Sequence, residues 1–112
     1  MAIKRPCRIT FLDLNIEKSF FELDKEDEIK KHIQRAINDI KQNAFCGIQI
    51  PKRLIPEEYK KKYEIKNLWK YDLPQGWRLI YSIITPTKAE IISLILNWFP
   101  HKEYERRFNY FF

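Results

Sequence analysis

The sequence predicts an α+β fold in which a small antiparallel sheet carries a helical hairpin on one face and is followed by a short C-terminal helix. One observation behind this prediction is an apolar stripe at helical spacing between Glu26 and about Asn43. The other is a run of three strand-like segments with short links in the second half of the chain. Because 112 residues leave room for one core of useful size, we expect a single domain over residues 1–112.

The N-terminal half is expected to supply one strand and the helical hairpin. Cys7–Leu14 is rich in β-branched and aromatic residues, which favour a strand. A short helix or turn is expected around Ser19–Leu23, and the main helix follows from Glu26 to about Asn43, with Asp24 as its N-cap. The apolar stripe that this helix should bury consists of Ile29, Ile33, Ala36, Ile37 and Ile40.

The second half is expected to form a short helix and then a three-strand meander. The stretch "PEEYKKKY" starts at Pro56, which suits the first turn of a helix. The strand-like runs are "KNLWKYDL", "GWRLIYSII" and "EIISLILNWF", and their links, Pro74–Gly76 and Thr85–Ala89, have the length of hairpin turns. With the N-terminal strand they complete the predicted antiparallel sheet. Pro100 favours the start of a short final helix.

The charge of the chain is uneven and favours a polyanionic partner. Lys and Arg number 21 against 15 Asp and Glu, a formal net charge of +6. Residues 51–112 hold twelve of these cations and seven of the acids, a net charge of +5. Such a basic half is typical of proteins that bind nucleic acid, although lysine-rich surfaces also serve solubility alone. Both interpretations stay open on charge alone.

Composition also excludes several kinds of site. The chain has only two glycines, so it has no glycine-rich phosphate loop. Cys7 and Cys46 lack a C-x-x-C partner or a histidine at ligand spacing, so we predict no metal site, no cofactor, and two small buried cysteines of a reducing compartment. No apolar run is long enough for a signal peptide or a membrane span, which predicts a soluble cytoplasmic protein with no membrane partner.

An arginine at the start of a strand-like segment is the first candidate for a functional residue. Side chains alternate along a strand, so Arg78 shares one face with Ile80 and Ser82. Lys70, on the preceding strand, should lie near Arg78, and two neighbouring cations repel unless an anion lies between them. Arg78 is therefore either a salt-bridge partner of Asp72 or a binding group for an anionic ligand.

The segment after the last strand supplies further candidates. His101, Tyr104 and Arg107 follow one another at intervals of three residues, which would place them on one helical face. Histidine suits proton transfer near neutral pH, tyrosine suits hydrogen bonding or stacking on a base, and arginine suits phosphate contact. The competing interpretation is that the histidine is structural and that the aromatic residues close the core.

These residues give the chain a resemblance to a known family. Arg78-Leu79-Ile80-Tyr81, followed by His101 and Tyr104 after the last strand, resembles the RelE/ParE toxin superfamily. The likeness is best over residues 67–107; the N-terminal half is similar only in the order of its elements. Two residues separate His101 from Tyr104, whereas several members have them adjacent.

The resemblance to RelE-like members implies a cytoplasmic toxin that cleaves messenger RNA, often at the ribosome, and is neutralised by an acidic antitoxin. Cleavage there needs no metal, because the ribose 2′-hydroxyl attacks the adjacent phosphate. Transferred to this chain, the catalytic residues would be Arg78, His101 and Tyr104, with Arg78 on the phosphate and His101 as acid or base. The RNA-binding cations would be Lys70, Arg106, Arg107, Lys52 and Arg53. Some members carry a glutamate base where this chain has Lys66 and Asn67, so the base is not assigned.

A second class of function stays open beside the nuclease. ParE-like members share the fold but inhibit a protein target, and a nucleic-acid-binding module without catalysis would also explain the charge. A nuclease needs Arg78 and His101 to face the same groove, whereas a binding protein does not.

Overall fold

The structure is a computed structural model that describes residues 5–108, so residues 1–4 and 109–112 of the predicted domain lie outside the described part. Five strands and four α-helices follow one another along this part of the chain. Their bounds are β1 Arg8–Phe11, α1 Leu14–Glu22, α2 Glu28–Gln42, β2 Ile48–Ile50, α3 Glu57–Tyr63, β3 Leu68–Asp72, β4 Arg78–Thr87, β5 Glu90–Phe99 and α4 His101–Phe108. Short 3-10 turns occupy Lys52–Leu54 and Pro74–Gly76.

The strands form one sheet in the order β1-β5-β4-β3-β2, which confirms the α+β class and corrects the strand arrangement. The meander β3-β4-β5 is antiparallel as predicted, but β1 pairs with β5 in parallel, so the sheet is mixed. An alternating sequence pattern carries no information about strand direction, and β1 fills the open edge of β5. The three-residue strand β2, between Gly47 and Pro51, was not predicted because it is too short to show alternation.

The N-terminal helices form the predicted hairpin with different starts. Asp13 caps α1, its side chain accepting a hydrogen bond from the Ile16 N–H at 2.9 Å, so this helix is longer than Ser19–Leu23. Asp27, and not Asp24, is the N-cap of α2. Asp24 instead accepts from the Glu26 N–H in the preceding turn. The predicted stripe of α2 is buried at Ile33, Ala36, Ile37 and Ile40, whereas Ile29 is half-buried.

Both faces of the sheet are covered, each by a different pair of helices. Leu79 and Tyr81 of β4 belong to the core beneath α1 and α2. Ile80, between them, belongs to a second core that includes Tyr59 of α3 and Tyr104 of α4. The alternation predicted along β4 is therefore confirmed, and the face that begins with Arg78 is the one covered by α3 and α4.

Tyr81, part of the family-like pattern, anchors the loop between α2 and β2. Its buried hydroxyl donates to the Ala44 carbonyl oxygen at 2.8 Å and accepts from the Gly47 N–H at 3.1 Å. Burial raises the pKa of Tyr81, as expected for a phenol that stays protonated in a core. A Cβ at Gly47 would lie 2.6 Å from both the Lys70 carbonyl oxygen and the Tyr81 hydroxyl, so only glycine fits here.

The cysteines differ from the prediction that both are buried. Cys7 is half-buried, with its thiol 3.2 Å from the Ile40 carbonyl oxygen, but Cys46 is exposed in the loop before β2. The Tyr81 hydroxyl holds that loop by hydrogen bonds to the loop's backbone, which leaves the Cys46 side chain outside the core. Within residues 5–108, none of the helices has the length and apolar character needed to cross a membrane.

Candidate functional site

Arg78 lies at the first position of β4, directly across from Asp72 at the end of β3. The Arg78 Nε is 2.9 Å from the Asp72 Oδ1, an ion pair in which the Nε hydrogen is not aligned with the oxygen. One terminal amino group donates to the Trp77 carbonyl oxygen at 3.2 Å. The Arg78 side chain is only 16% exposed, so its guanidinium has a fixed place at the end of the sheet.

Lys70 lies beside Arg78, as predicted, and the two cations share one carboxylate. The Lys70 Nζ is 3.4 Å from the same Asp72 Oδ1, and its side chain is 18% exposed. The anion between the two cations in this structure is therefore Asp72. Both of the alternatives for Arg78 stay compatible with this arrangement, because the Asp72 side chain is 48% exposed and solvent reaches it.

Tyr104 lies beneath both cations. Its ring centroid is 5.4 Å from the Lys70 Nζ and 5.6 Å from the Arg78 guanidinium carbon, distances at which the ring face attracts a cation. The residue is buried, 3% exposed, and packs against Phe99 and Phe108. Tyr104 therefore supports the cations from below, and in this arrangement its ring offers no open face for stacking on a base.

His101, the first residue of α4, meets Arg78 at the end of the sheet. A terminal nitrogen of Arg78 lies 3.5 Å from the His101 Nδ1, and the His101 Nε2 contacts the Glu105 carboxylate. Because a guanidinium only donates, Nδ1 is assigned as the acceptor and Nε2 as the protonated nitrogen. His101 is about half exposed. We name Lys70, Asp72, Arg78, His101 and Glu105, with Tyr104 beneath them, the Arg78 cluster.

Arg106 and Arg107 lie elsewhere on α4 and are held by Glu103. Arg107 donates from Nε to the Glu103 carboxylate at 2.7 Å, and Arg106 donates to both of its oxygens. These guanidinium contacts lower the pKa of Glu103 to about 2. Six residues of helix from His101 turn Arg107 by about 240°. Arg107 therefore faces Phe99 and α3. The prediction that His101, Tyr104 and Arg107 lie on one helical face is wrong.

Lys52 and Arg53 occupy the exposed 3-10 turn between β2 and α3. Ile50 pairs with Leu68 at one end of β3, and Arg78 pairs with Asp72 at the other. Four residues of strand separate these ends by about 13 Å. The structure thus brings Lys70, Arg78, His101 and Tyr104 together and leaves Lys52 and Arg53 at the opposite end of β3.

Sequence reasoning missed two carboxylates that hold the candidate residues in place. Glu105 contacts His101 across one helical turn, and Glu103 contacts Arg106 and Arg107. The spacing of four residues between His101 and Glu105 was a readable signal once α4 was assigned as a helix. Among residues 5–108, the structure groups no three His, Cys, Asp or Glu side chains that could hold a metal ion.

Comparisons of this chain with protein-family models, with curated proteins and with solved structures found no match. The resemblance to RelE/ParE toxins thus stays a resemblance based on residues 67–107.

Proposed function

We propose that this protein is an endoribonuclease toxin that cleaves messenger RNA through attack of a ribose 2′-hydroxyl on the adjacent phosphate, without a metal ion. The observation that carries the proposal is the meeting of Arg78 and His101, 3.5 Å apart, at the N-terminal end of β4. A phosphate that accepted hydrogen bonds from Arg78 in place of His101 would lie beside the imidazole. A nuclease requires these two residues to lie together, whereas a binding protein has no such requirement.

The tautomer assigned to His101 suits a general base. With its Nδ1 lone pair unprotonated, His101 can take the proton of the 2′-hydroxyl as the 2′-oxygen attacks phosphorus. The bond from phosphorus to the 5′-oxygen breaks, leaving a cyclic phosphate, and the departing 5′-oxygen takes a proton from the imidazolium or from water to become a 5′-hydroxyl. Glu105, in contact with Nε2, stabilises the imidazolium that forms in between.

The cations of the cluster would stabilise the charge that develops on the phosphate. Arg78 can donate two parallel hydrogen bonds to phosphate oxygens, and Lys70 adds a second positive charge close by. Tyr104 holds both groups in place before RNA arrives, so little reorganisation is needed in the transition state. Asp72 must turn away from Arg78 or share it, and its exposure allows this.

The proposal is tested by expressing the protein in a bacterial host and mapping the 5′ ends of its RNA. Arg78→Met keeps the length of the side chain and removes its charge, and it should lower the cleavage rate about a hundredfold or more. His101→Ala should also abolish most cleavage. With purified protein and RNA, a chelator should leave the rate unchanged.

Two matched controls are present in the chain. Arg8→Met breaks an exposed ion pair with Glu90 at the β1 edge. His32→Ala removes a histidine that also contacts a glutamate one turn away, but on α2, which covers the opposite face of the sheet. Both controls should cleave like the wild type. RNA cleavage that survives in both the Arg78 and the His101 variant would contradict the proposal.

A binding protein without catalysis is the second candidate, and the position of Asp72 favours it. Asp72 forms ion pairs with both Lys70 and Arg78, as expected of a structural ion-pair network. If the protein inhibits growth, leaves RNA uncut and keeps its effect in Arg78→Met, then a protein target explains it better than a nuclease.

A further inference from the structure

A cavity outside the Arg78 cluster lies between α3 and α4. Its volume is about 400 Å³, and it is lined by Pro56, Glu58, Tyr59, Arg106 and Arg107. Two of these five residues are cations and one is an acid. The nuclease mechanism uses none of them.

Tyr59 brings a buried polar atom to this cavity. The residue is 5% exposed and belongs to the core between the sheet and α4, yet its hydroxyl has no aligned hydrogen-bond partner within residues 5–108. Leaving a buried hydroxyl without a partner costs free energy, so natural proteins rarely do it without a reason. Burial raises the pKa of Tyr59, and the Arg107 guanidinium partly offsets this through its charge and through a close contact with the hydroxyl that lacks hydrogen-bond alignment.

Two groups at this cavity, the Tyr59 hydroxyl and the Arg107 guanidinium, are hydrogen-bond donors that still need an acceptor, because the Glu58 carboxylate, which also lines it, bonds neither of them within residues 5–108. The bond from Arg107 to Glu103 uses Nε, which leaves the two terminal amino groups of Arg107 to donate elsewhere. Tyr59 has a hydroxyl proton to donate. A group that only accepts and carries negative charge satisfies both, and a phosphate has this chemistry.

We propose that the cavity between α3 and α4 is a second phosphate subsite, in which the Tyr59 hydroxyl and the Arg107 guanidinium bind another phosphate of the RNA strand that is cleaved at the Arg78 cluster. The identity of the polymer rests on the proposed nuclease function, whereas binding of a phosphate group does not. Arg107 follows His101 by six residues, about 9 Å along the axis of α4. One strand could therefore contact both ends of this helix.

The experiment titrates inorganic phosphate and follows the Arg107 Nε–H signal by nuclear magnetic resonance, in the wild type and in Tyr59→Phe. In the wild type we expect this signal to shift and saturate; in Tyr59→Phe the apparent affinity should fall about fivefold or more, the size of one lost hydrogen bond. Tyr63→Phe, on the same helix, is the matched control and should bind like the wild type. A titration that is the same in wild type and Tyr59→Phe would overturn the proposal.

A second measurement separates a ligand-binding hydroxyl from a structural one. Removing a hydroxyl that has no partner should leave the phosphate-free unfolding midpoint of Tyr59→Phe unchanged or slightly raised. A clear fall would show that the hydroxyl already has an internal partner and would overturn the proposal. Glu58→Gln, which removes the acid at the cavity, should tighten phosphate binding.

The Arg78→Met variant distinguishes this proposal from the nuclease. It should lose cleavage but keep the phosphate-induced shift of Arg107. If wild type and variant both fail to cleave RNA while the Arg107 shift depends on Tyr59, the subsite stands and the nuclease does not. A short RNA should compete with inorganic phosphate for this signal, and failure to compete would overturn the assignment to RNA.

Discussion

Asp72 is the residue that sets the charge of the candidate site. It lies 2.9 Å from Arg78 Nε and 3.4 Å from Lys70 Nζ, and it balances one of the two cations. A phosphate that enters the site competes with this carboxylate for the same donors. We therefore expect Asp72 to limit the affinity for RNA while it keeps the cations in place.

The first prediction is that Asp72→Asn binds RNA more tightly and with a steeper dependence on salt. Removing the carboxylate leaves an extra uncompensated cation, worth about a fivefold gain in affinity at low salt. RNA binding measured at two salt concentrations checks this. Glu90→Gln, which removes the acid of the exposed ion pair with Arg8, is the control and should change affinity less. Unchanged or weaker binding by Asp72→Asn would count against a phosphate site here.

Tyr81 has a role in stability that can be tested separately from the candidate site, because its hydroxyl faces the α2 side of the sheet. Tyr81→Phe leaves the Ala44 carbonyl oxygen and the Gly47 N–H without their partner. The second prediction is that the free energy of unfolding of Tyr81→Phe is lower than that of wild type by about 1–3 kcal/mol. Urea denaturation checks this, with Tyr63→Phe as control.

The cleavage rate of folded Tyr81→Phe should stay within about twofold of wild type, since a change of this size is small on the scale of a lost catalytic group. A large loss of activity in a stably folded Tyr81→Phe protein would move Tyr81 from a structural into a catalytic role. Gly47→Ala should destabilise the same loop, because the new methyl group would overlap Lys70 and Tyr81.

At the scale of elements, α4 is the helix that joins the two proposed phosphate sites. Tyr104 and Phe108 fix its inner face in the core, His101 lies at its first residue, and Glu103 organises Arg106 and Arg107. The ionisation of Glu103 should therefore influence the stability of the C-terminal end of α4.

The third prediction concerns acid. The pKa of Glu103 is about 2 in the folded protein, below the ordinary value of 4.5. Because the folded value is depressed, the stabilisation is present above the ordinary pKa and is lost as pH falls toward the folded one. Unfolding measured at about pH 5 and about pH 3 should show a smaller acid-induced loss in Glu103→Gln than in wild type. Equal losses would mean that Glu103 contributes nothing to this pH dependence.

Much of the architecture was predictable, and the exceptions have physical causes. The spacing of apolar residues in α2 and the alternation of side chains in β4 both reflect burial. The burial of Ile33 and Ile40, and the face of the sheet on which Ile80 lies, were therefore predicted correctly. The N-cap of α2 was misplaced because Asp24 and Asp27 are equally suited by chemistry. The direction of β1 was wrong because pairing direction depends on distant strands.

The candidate site was predictable only in part. The register of β3 and β4 follows from the short turn, so the proximity of Lys70 to Arg78 could be expected. The rotation of Arg107 away from His101 depends on the six-residue spacing along a true helix. The buried Tyr59 hydroxyl depends on how α4 docks against α3, and no local sequence pattern reports that contact.

At the scale of the whole molecule, the charge asymmetry is the property that bears on partners. Residues 51–112 have a net charge of +5 and supply β3, β4, β5, α3 and α4. The two proposed phosphate sites both lie in this part. An acidic polypeptide that covers the Arg78 cluster would therefore be attracted over a distance and would exclude RNA.

The fourth prediction is that an acidic antitoxin of this kind competes with RNA and loses affinity in salt. Poly-glutamate serves as the probe, because it supplies the charge without a specific fold. It should inhibit RNA binding at low ionic strength, and its own binding to the protein should be lost at about 1 M salt, where screening shortens to about 3 Å. Arg8→Met should respond like wild type. Binding of poly-glutamate that is equally strong at both salt concentrations would contradict an electrostatic partner site.

The parallel pairing of β1 with β5 has a consequence for how the protein is made. Arg8 aligns with Ile92, so β1 pairs with its partner only after β2, β3, β4 and β5 have been synthesised. Contacts between such distant positions form late, because a long loop must close first. Arg78 likewise meets His101 only after β5 has been synthesised. A nascent chain that stops after β4 holds the arginine without the histidine, so the site proposed for RNA cleavage is incomplete until β5 and the start of α4 have been synthesised.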